Sequence, residues 1–220
     1  MVDSDAEIAE FVNTIVGYVI DGEFDELTMD CILATRVVAI PKIDGGVRPI
    51  SVSNFFLKLA GGMALRSGRD RLRTWQYAEA GNVLGAKVIV HRCRELLGKG
   101  YTLAKFDIKN AYGEMPRALC AEVVEKAQCP ALTSYFKTVY LRTSKGVIYG
   151  NGTFKVLLLT EGVRQGDSTS AYIFCRALDV IIAEIVDECQ RGGIPIDENL
   201  IFCYMDDLTV ALPSGVHVQK

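Results

Sequence analysis

Apolar residues recur at helical spacing from the start of the chain. Ser4 and Glu7 form a capping box, followed by Ile8, Phe11, Val12, Ile15, Val16 and Val19. RVVAIPK (36–42) reads instead as a strand, ended by Pro41 and the turn Asp44-Gly45-Gly46. A second helix is expected from near Asn54, packing Phe56, Leu59, Ala60 and Met63. YTLAKFDI (101–108) is a strand, followed by a helix with Pro116 at its first turn and a further helix over 133–142. GVIY and TFKVLLLT flank Gly150-Asn151-Gly152, a hairpin signal. The strongest helical pattern runs from Ser168 to Cys189, where Ile173, Phe174, Ala177, Leu178, Ile181, Ile182 and Ile185 form a wide stripe.

The last two apolar runs, NLIFCYM and LTVALP, leave room between them only for a tight turn. Asp206 and Asp207 therefore fall at or beside a hairpin tip, where their charge can reach solvent or a cation. Segregated helices and antiparallel hairpins imply an α+β fold, with antiparallel strands packed on helices.

Composition narrows the reading. Of 220 residues, 50% are hydrophobic and 23% charged, enough for a substantial core. No apolar run approaches the ~18 residues of a membrane span, so no membrane partner is expected. The acidic N-terminus does not read as a secretory signal. Seven cysteines lack CxxC spacing and the only histidines are His91 and His217, which argues against zinc. Scattered thiols suit buried cysteines in a reducing, intracellular compartment.

Charge is unevenly spread. Residues 1–35 hold nine acids and no Lys or Arg, whereas 36–105 hold thirteen bases against four acids. The remainder holds eleven bases and fourteen acids, net −3. A basic middle third suits phosphate binding, and an ordinary solvated surface is the plainer alternative.

Adjacent carboxylates repel, at ~4 Å by about 4 kcal/mol with an effective dielectric near 20. Solvent can screen that cost, or a divalent cation can cancel it. A third acid, Asp107, closes the strand YTLAKFDI between Phe106 and Ile108. If that strand neighbours the terminal hairpin, Asp107, Asp206 and Asp207 share one oxygen-rich site. Oxygen donors without nearby His or Cys favour Mg²⁺ or Mn²⁺.

FDIKNAY (106–112), GVRQGDSTS (162–170) and YMDD (204–207), in this order, resemble successive motifs of reverse transcriptases, and AIPKIDGGVRPIS (39–51) resembles their fingers segment. The resemblance covers roughly residues 36–212. GVRQGD together with NAY and Arg117 is most similar to the polymerases of non-LTR retrotransposons. The resemblance implies the fingers and palm of a right-hand polymerase: an acidic helical segment (1–35), fingers (36–105) and palm (106–220).

By the same resemblance, Asp107, Asp206 and the Ile108 carbonyl are metal ligands for two Mg²⁺ ions, with Asp207 the accompanying carboxylate. Lys42 and Arg48 hold the triphosphate, Tyr112 faces the sugar and excludes a 2′-hydroxyl, and Gln165 and Gly166 lie under the incoming nucleotide. The implied reaction adds dNTPs to a DNA primer 3′ end on an RNA template, the hydroxyl attacking the α-phosphate as pyrophosphate leaves. The implied site of action is intracellular, the nucleus included.

Two alternatives stand beside this reading: a non-catalytic nucleic-acid-binding remnant, and an RNA-dependent RNA polymerase. Ser168 and Ala171 stand where the family commonly has proline, which bears on the placement of Gln165. Thirteen residues follow YMDD, so the thumb is expected to be absent from these 220 residues. The isolated chain is then expected to bind primer-template weakly, with steep salt dependence.

Overall fold

The computed structural model describes residues 4–43, 45–68, 72–78, 84–194 and 196–213. In chain order the elements are α1 (Ser4–Asp21), α2 (Glu26–Leu33), β1 (Thr35–Pro41), β2 (Val47–Val52), α3 (Phe55–Arg66), α4 (Gly85–Gly98), β3 (Thr102–Asp107), α5 (Ala111–Glu114), α6 (Arg117–Lys126) and α7 (Pro130–Tyr140). There follow β4 (Ser144–Gly150), β5 (Thr153–Leu159), α8 (Ser170–Arg191), β6 (Ile201–Tyr204) and β7 (Asp207–Leu212). This is the α+β class that the patterning implies. Asp44 of the expected first turn, and His217, lie outside the described residues.

The chain forms two compact units. One comprises residues 1–70 and 112–173, the other residues 71–111 and 174–220.

The first unit contains a four-stranded sheet in the order β2-β1-β4-β5. Both hairpins are antiparallel, and β1 meets β4 in parallel through Thr35–Gly146 and Arg36–Val147. Asn151 and Gly152 link β4 to β5 at φ of 52° and 74°. Positive φ at both loop positions marks a primed turn, which matches the strand twist. The sequence signal for this hairpin is therefore borne out.

The helical core packs α1, α3 and α7 on one another. Asn54 caps α3 by accepting from Leu57 N (2.9 Å) and also donates to Ile32 O (2.6 Å), tying the helix start to the end of α2. The buried face of α3 is Leu57, Ala60, Gly61 and Ala64, one residue round from the expected stripe, and Phe56 is exposed. The small residues decide this. A Cβ at Gly61 would lie 2.8 Å from Tyr135 Oη, so this face admits α7 where a larger one could not. In α1 only Val16 and Val19 of the expected stripe are fully buried, and Ile8 and Phe11 are exposed. Most of β5 is exposed as well, despite its apolar sequence.

In the second unit β3, β7 and β6 form an antiparallel sheet in that order, with α4 packed against it. Its core includes Trp75, Phe174, Leu178, Ile182, Phe202 and Cys203, whereas Ile185 at the end of the predicted stripe is exposed.

Four of the seven free cysteines are buried, Cys31 is exposed, and Cys93 and Cys189 are intermediate. Burial pushes the Cys120, Cys175 and Cys203 thiols up to about 12, so they are inert at neutral pH. No helix among the described residues is long and apolar enough to cross a membrane.

Candidate active site

The register of the second unit's sheet places its acids. β3 and β7 pair so that Asp107 stands opposite Asp207, and β6 and β7 pair so that Tyr204 stands opposite Asp207. Met205 and Asp206 form the two-residue loop between β6 and β7. All three predicted carboxylates thus sit at one end of one sheet, contributed by two strands and a hairpin. Ile108 follows directly and is half-buried.

A cation that sequence reading missed is already there. Lys105 Nζ lies 3.0 Å from Asp207 Oδ1, diagonally across the β3–β7 ladder. Its pKa is raised by the hydrogen bond to Asp207, then by the charge of Asp207, with a smaller contribution from Asp107. Alternation along YTLAKFDI puts residues 103, 105 and 107 on one face, which was the available signal. On the same side, Lys105, Tyr204, Asp207 and Thr209 border a cavity of about 440 Å³ with Ile89 and Cys93 of α4.

The donor set is all oxygen and fits a hard divalent cation. Among the described residues, however, no group of three or more His, Cys, Asp or Glu is spaced to hold a metal as it stands. Lys105 offsets part of the charge that such an ion would neutralise.

The first unit carries the other predicted residues. Lys42 and Arg48 are exposed at the loop end of the β1–β2 hairpin, where Lys42 N donates to Gly46 O (2.8 Å). Tyr112, in α5, is half-buried, and its carbonyl accepts from Val163 N (2.8 Å). Gln165 is half-buried, and its carbonyl accepts from Ser51 N of β2 (2.8 Å). This hydrogen bond joins the motif loop to the β1–β2 hairpin.

Gly166 makes that contact feasible. Its φ is 107°, and a Cβ there would lie 2.5 Å from Ser51 O, a backbone atom with little freedom to retreat. Gly166→Ala should destabilise by about 1–3 kcal/mol, read as a lower denaturant midpoint. An unchanged midpoint would show that the loop and β2 separate freely.

Within GVRQGD, Arg164 and Asp167 prove to be internal. Asp167 accepts from Tyr140 Oη (2.7 Å), from Tyr135 Oη (3.2 Å) and from Thr169 N (3.1 Å). Arg164 is buried, its guanidinium 5.7 Å from the centre of the Tyr140 ring and donating to Ser144 Oγ. Arg117 grips the same loop, donating to Gly162 O (3.0 Å), Leu159 O (3.0 Å), Glu161 O (3.3 Å) and Tyr140 O (2.7 Å). Arg164 and Asp167 of the motif, together with Arg117, thus build a seat for Gln165 rather than reaching solvent themselves.

Comparison with known proteins follows this geometry. The reverse transcriptase (RNA-dependent DNA polymerase) family matches residues 40–220. Telomerase structures from Candida species are similar in fold. Apo telomerase of Candida tropicalis, truncated from its C-terminal domain, is 16% identical, with a TM-score of 0.51 over 84% of this chain and 44% of that one. Candida tropicalis telomerase with a TWJ fragment of telomeric RNA is 14% identical, with a TM-score of 0.53 over 83% of this chain and 36% of that one. For the corresponding Candida albicans complex the values are 13%, 0.52, 82% and 38%. The chain thus spans less than half the length of these telomerases. No protein of curated function matches its sequence.

Proposed function

Because the chain belongs to the reverse transcriptase family of RNA-dependent DNA polymerases, we propose that it adds dNTPs to a DNA primer on an RNA template. One observation supports the assignment of the chemistry most directly: Asp107 and Asp207 opposed in register, with Asp206 in the adjoining loop. In this reading Asp107, Asp206 and the Ile108 carbonyl hold Mg²⁺, two ions in the complete reaction, and Asp207 is the accompanying carboxylate. Bound there, the metal supplies positive charge to the phosphate oxygens of the reacting groups.

The chain's own residues bind and orient. Lys42 and Arg48, on an exposed hairpin, contribute cations for the triphosphate. Gln165 and Gly166 present a fixed backbone to the nucleotide, and Tyr112 limits the sugar. The fingers (36–105), palm (106–220) and acidic helical segment (1–35) belong to the same proposal. Membership of the non-LTR group is proposed from the sequence motifs alone, GVRQGD with NAY and Arg117.

Primer extension on an RNA template, comparing dNTPs with NTPs in Mg²⁺, tests the proposal. Template-dependent dNTP addition is expected. Preferential use of NTPs would favour an RNA polymerase, and nucleic-acid binding without extension a non-catalytic remnant. Tyr112→Val should lower the preference for dNTPs over NTPs by roughly tenfold or more while keeping dNTP addition. Unchanged selectivity in an active variant would return Tyr112 to a packing role.

A further inference from the structure

Met205 occupies a conformation that its side chain resists. Its φ is 56°, in the left-handed region that glycine tolerates and other residues seldom enter. Such backbone persists where its surroundings over-determine it. The neighbour that does so here is Gln76, buried at 5% exposure and 129 residues away in sequence. Its Oε1 accepts from Met205 N at 3.0 Å and from Ala78 N at 3.2 Å, and its Nε2 donates to Met205 O at 3.5 Å. One amide therefore engages both backbone polar groups of the strained residue.

Gln76 is itself firmly held. Cys203 N donates to Trp75 O (2.7 Å) and Tyr77 N to Cys203 O (2.8 Å), laying residues 75–77 along β6 in parallel. Asp179 of α8, 4% exposed, accepts from Trp75 Nε1 (2.7 Å) and from Arg73 N (3.1 Å). The Arg73 guanidinium stands 5.2 Å over the Trp75 ring. Segment 73–77 is thus a strut pinned to a helix at one end and to the hairpin at the other. Glutamine is the side chain this position asks for. Leucine has neither donor nor acceptor, and glutamate would bury a further negative charge beside two aspartates.

We propose that Gln76 is a positioning residue that locks the Met205–Asp206 loop and thereby aims the Asp206 carboxylate. The inference rests on Asp206 being a metal ligand, as read above. Its reason is economical in chemistry: water could satisfy the backbone of an exposed loop but would not select one conformation.

Two measurements on the protein test it. The first is independent of catalysis. Gln76→Leu should speed hydrogen exchange at the Met205 amide by about tenfold, one neutral hydrogen bond's worth, while amides of β3 and β7 stay protected. Unchanged exchange at Met205 overturns the clamp. If Gln76→Leu does not fold, Gln76→Met, closer in length, takes its place.

The second reads dNTP addition. Gln76→Leu should lower kcat about tenfold with KM for dNTP nearly unchanged. Met205→Gly in that background should restore most of the loss, because glycine takes the positive φ unaided. A residue that merely supports the fold would not be rescued in this way, so failure of the rescue overturns the inference. If Asp206→Asn abolishes addition and Gln76→Leu does not impair it, the inference fails and the polymerase reading stands. If Asp206→Asn remains fully active, the metal-ligand reading fails, and the exchange result still decides whether the clamp exists.

Discussion

Asp107→Asn and Asp206→Asn are each expected to reduce dNTP addition at least a hundredfold, the scale of losing one charge-stabilising group from a reaction centre. The fold should survive both changes. Asn has the shape of Asp, and neither carboxylate is buried in the core. Asp107 in fact opposes a like charge, Asp207, across the ladder. Directly opposed like charges on neighbouring strands destabilise by ~0.2–1 kcal/mol, so Asp107→Asn should leave stability unchanged or raise it slightly. The Lys105–Asp207 pair is exposed on both sides and so contributes little. Single-nucleotide addition and thermal unfolding, measured on the same preparations, separate chemistry from folding. A folded Asp107→Asn protein with near-native activity would remove that residue from the site.

The three acids were legible in the sequence because local rules place them. Period-two alternation fixes the strands, and the lack of residues between two apolar runs leaves only a tight turn for Asp206. Their shared location needed one long-range fact, the β3–β7 pairing, which the family resemblance implied and the register shows. Most longer helices were equally readable, although α2 and α4 were not among those expected. Helix facing was not, because the face of α3 was settled by which side lets Tyr135 approach Gly61, a contact across 74 residues. The exposed apolar residues of α1 and β5 have the same origin: periodicity marks which residues form a face, without saying what covers it. Gln76 escaped notice for a simpler reason. A lone glutamine in a non-repetitive segment carries no local signal, and its meaning appears only beside Met205. In GVRQGD the resemblance gives roles only to Gln165 and Gly166, and it is silent on Arg164 and Asp167, which are buried and serve the interior of the loop.

That interior leads to the second large effect, at Arg117. Loops between packed elements leave carbonyls that something must satisfy. Here the end of α7, the end of β5 and the motif loop converge, and the Arg117 guanidinium donates to the carbonyls of Tyr140, Leu159, Glu161 and Gly162 at once. Its backbone N also donates to Glu161 Oε1 at 3.0 Å. Burial, and then the neighbouring Arg164 charge, lower its pKa from the ordinary arginine value, and Glu161 works in the opposite direction. Arg117→Met keeps the bulk of the stem and leaves those carbonyls without their donor, so it should destabilise by about 3–5 kcal/mol, on the scale of breaking a buried charged network. Arg117→Lys should recover only a minor part, because one ammonium cannot match a planar fork spread over several carbonyls. Denaturant unfolding followed by far-ultraviolet circular dichroism would report both. A loss below about 1 kcal/mol for Arg117→Met, the scale of a single ordinary hydrogen bond, would mean that water or a rearranged loop satisfies these carbonyls, and that Gln165 is seated by something else.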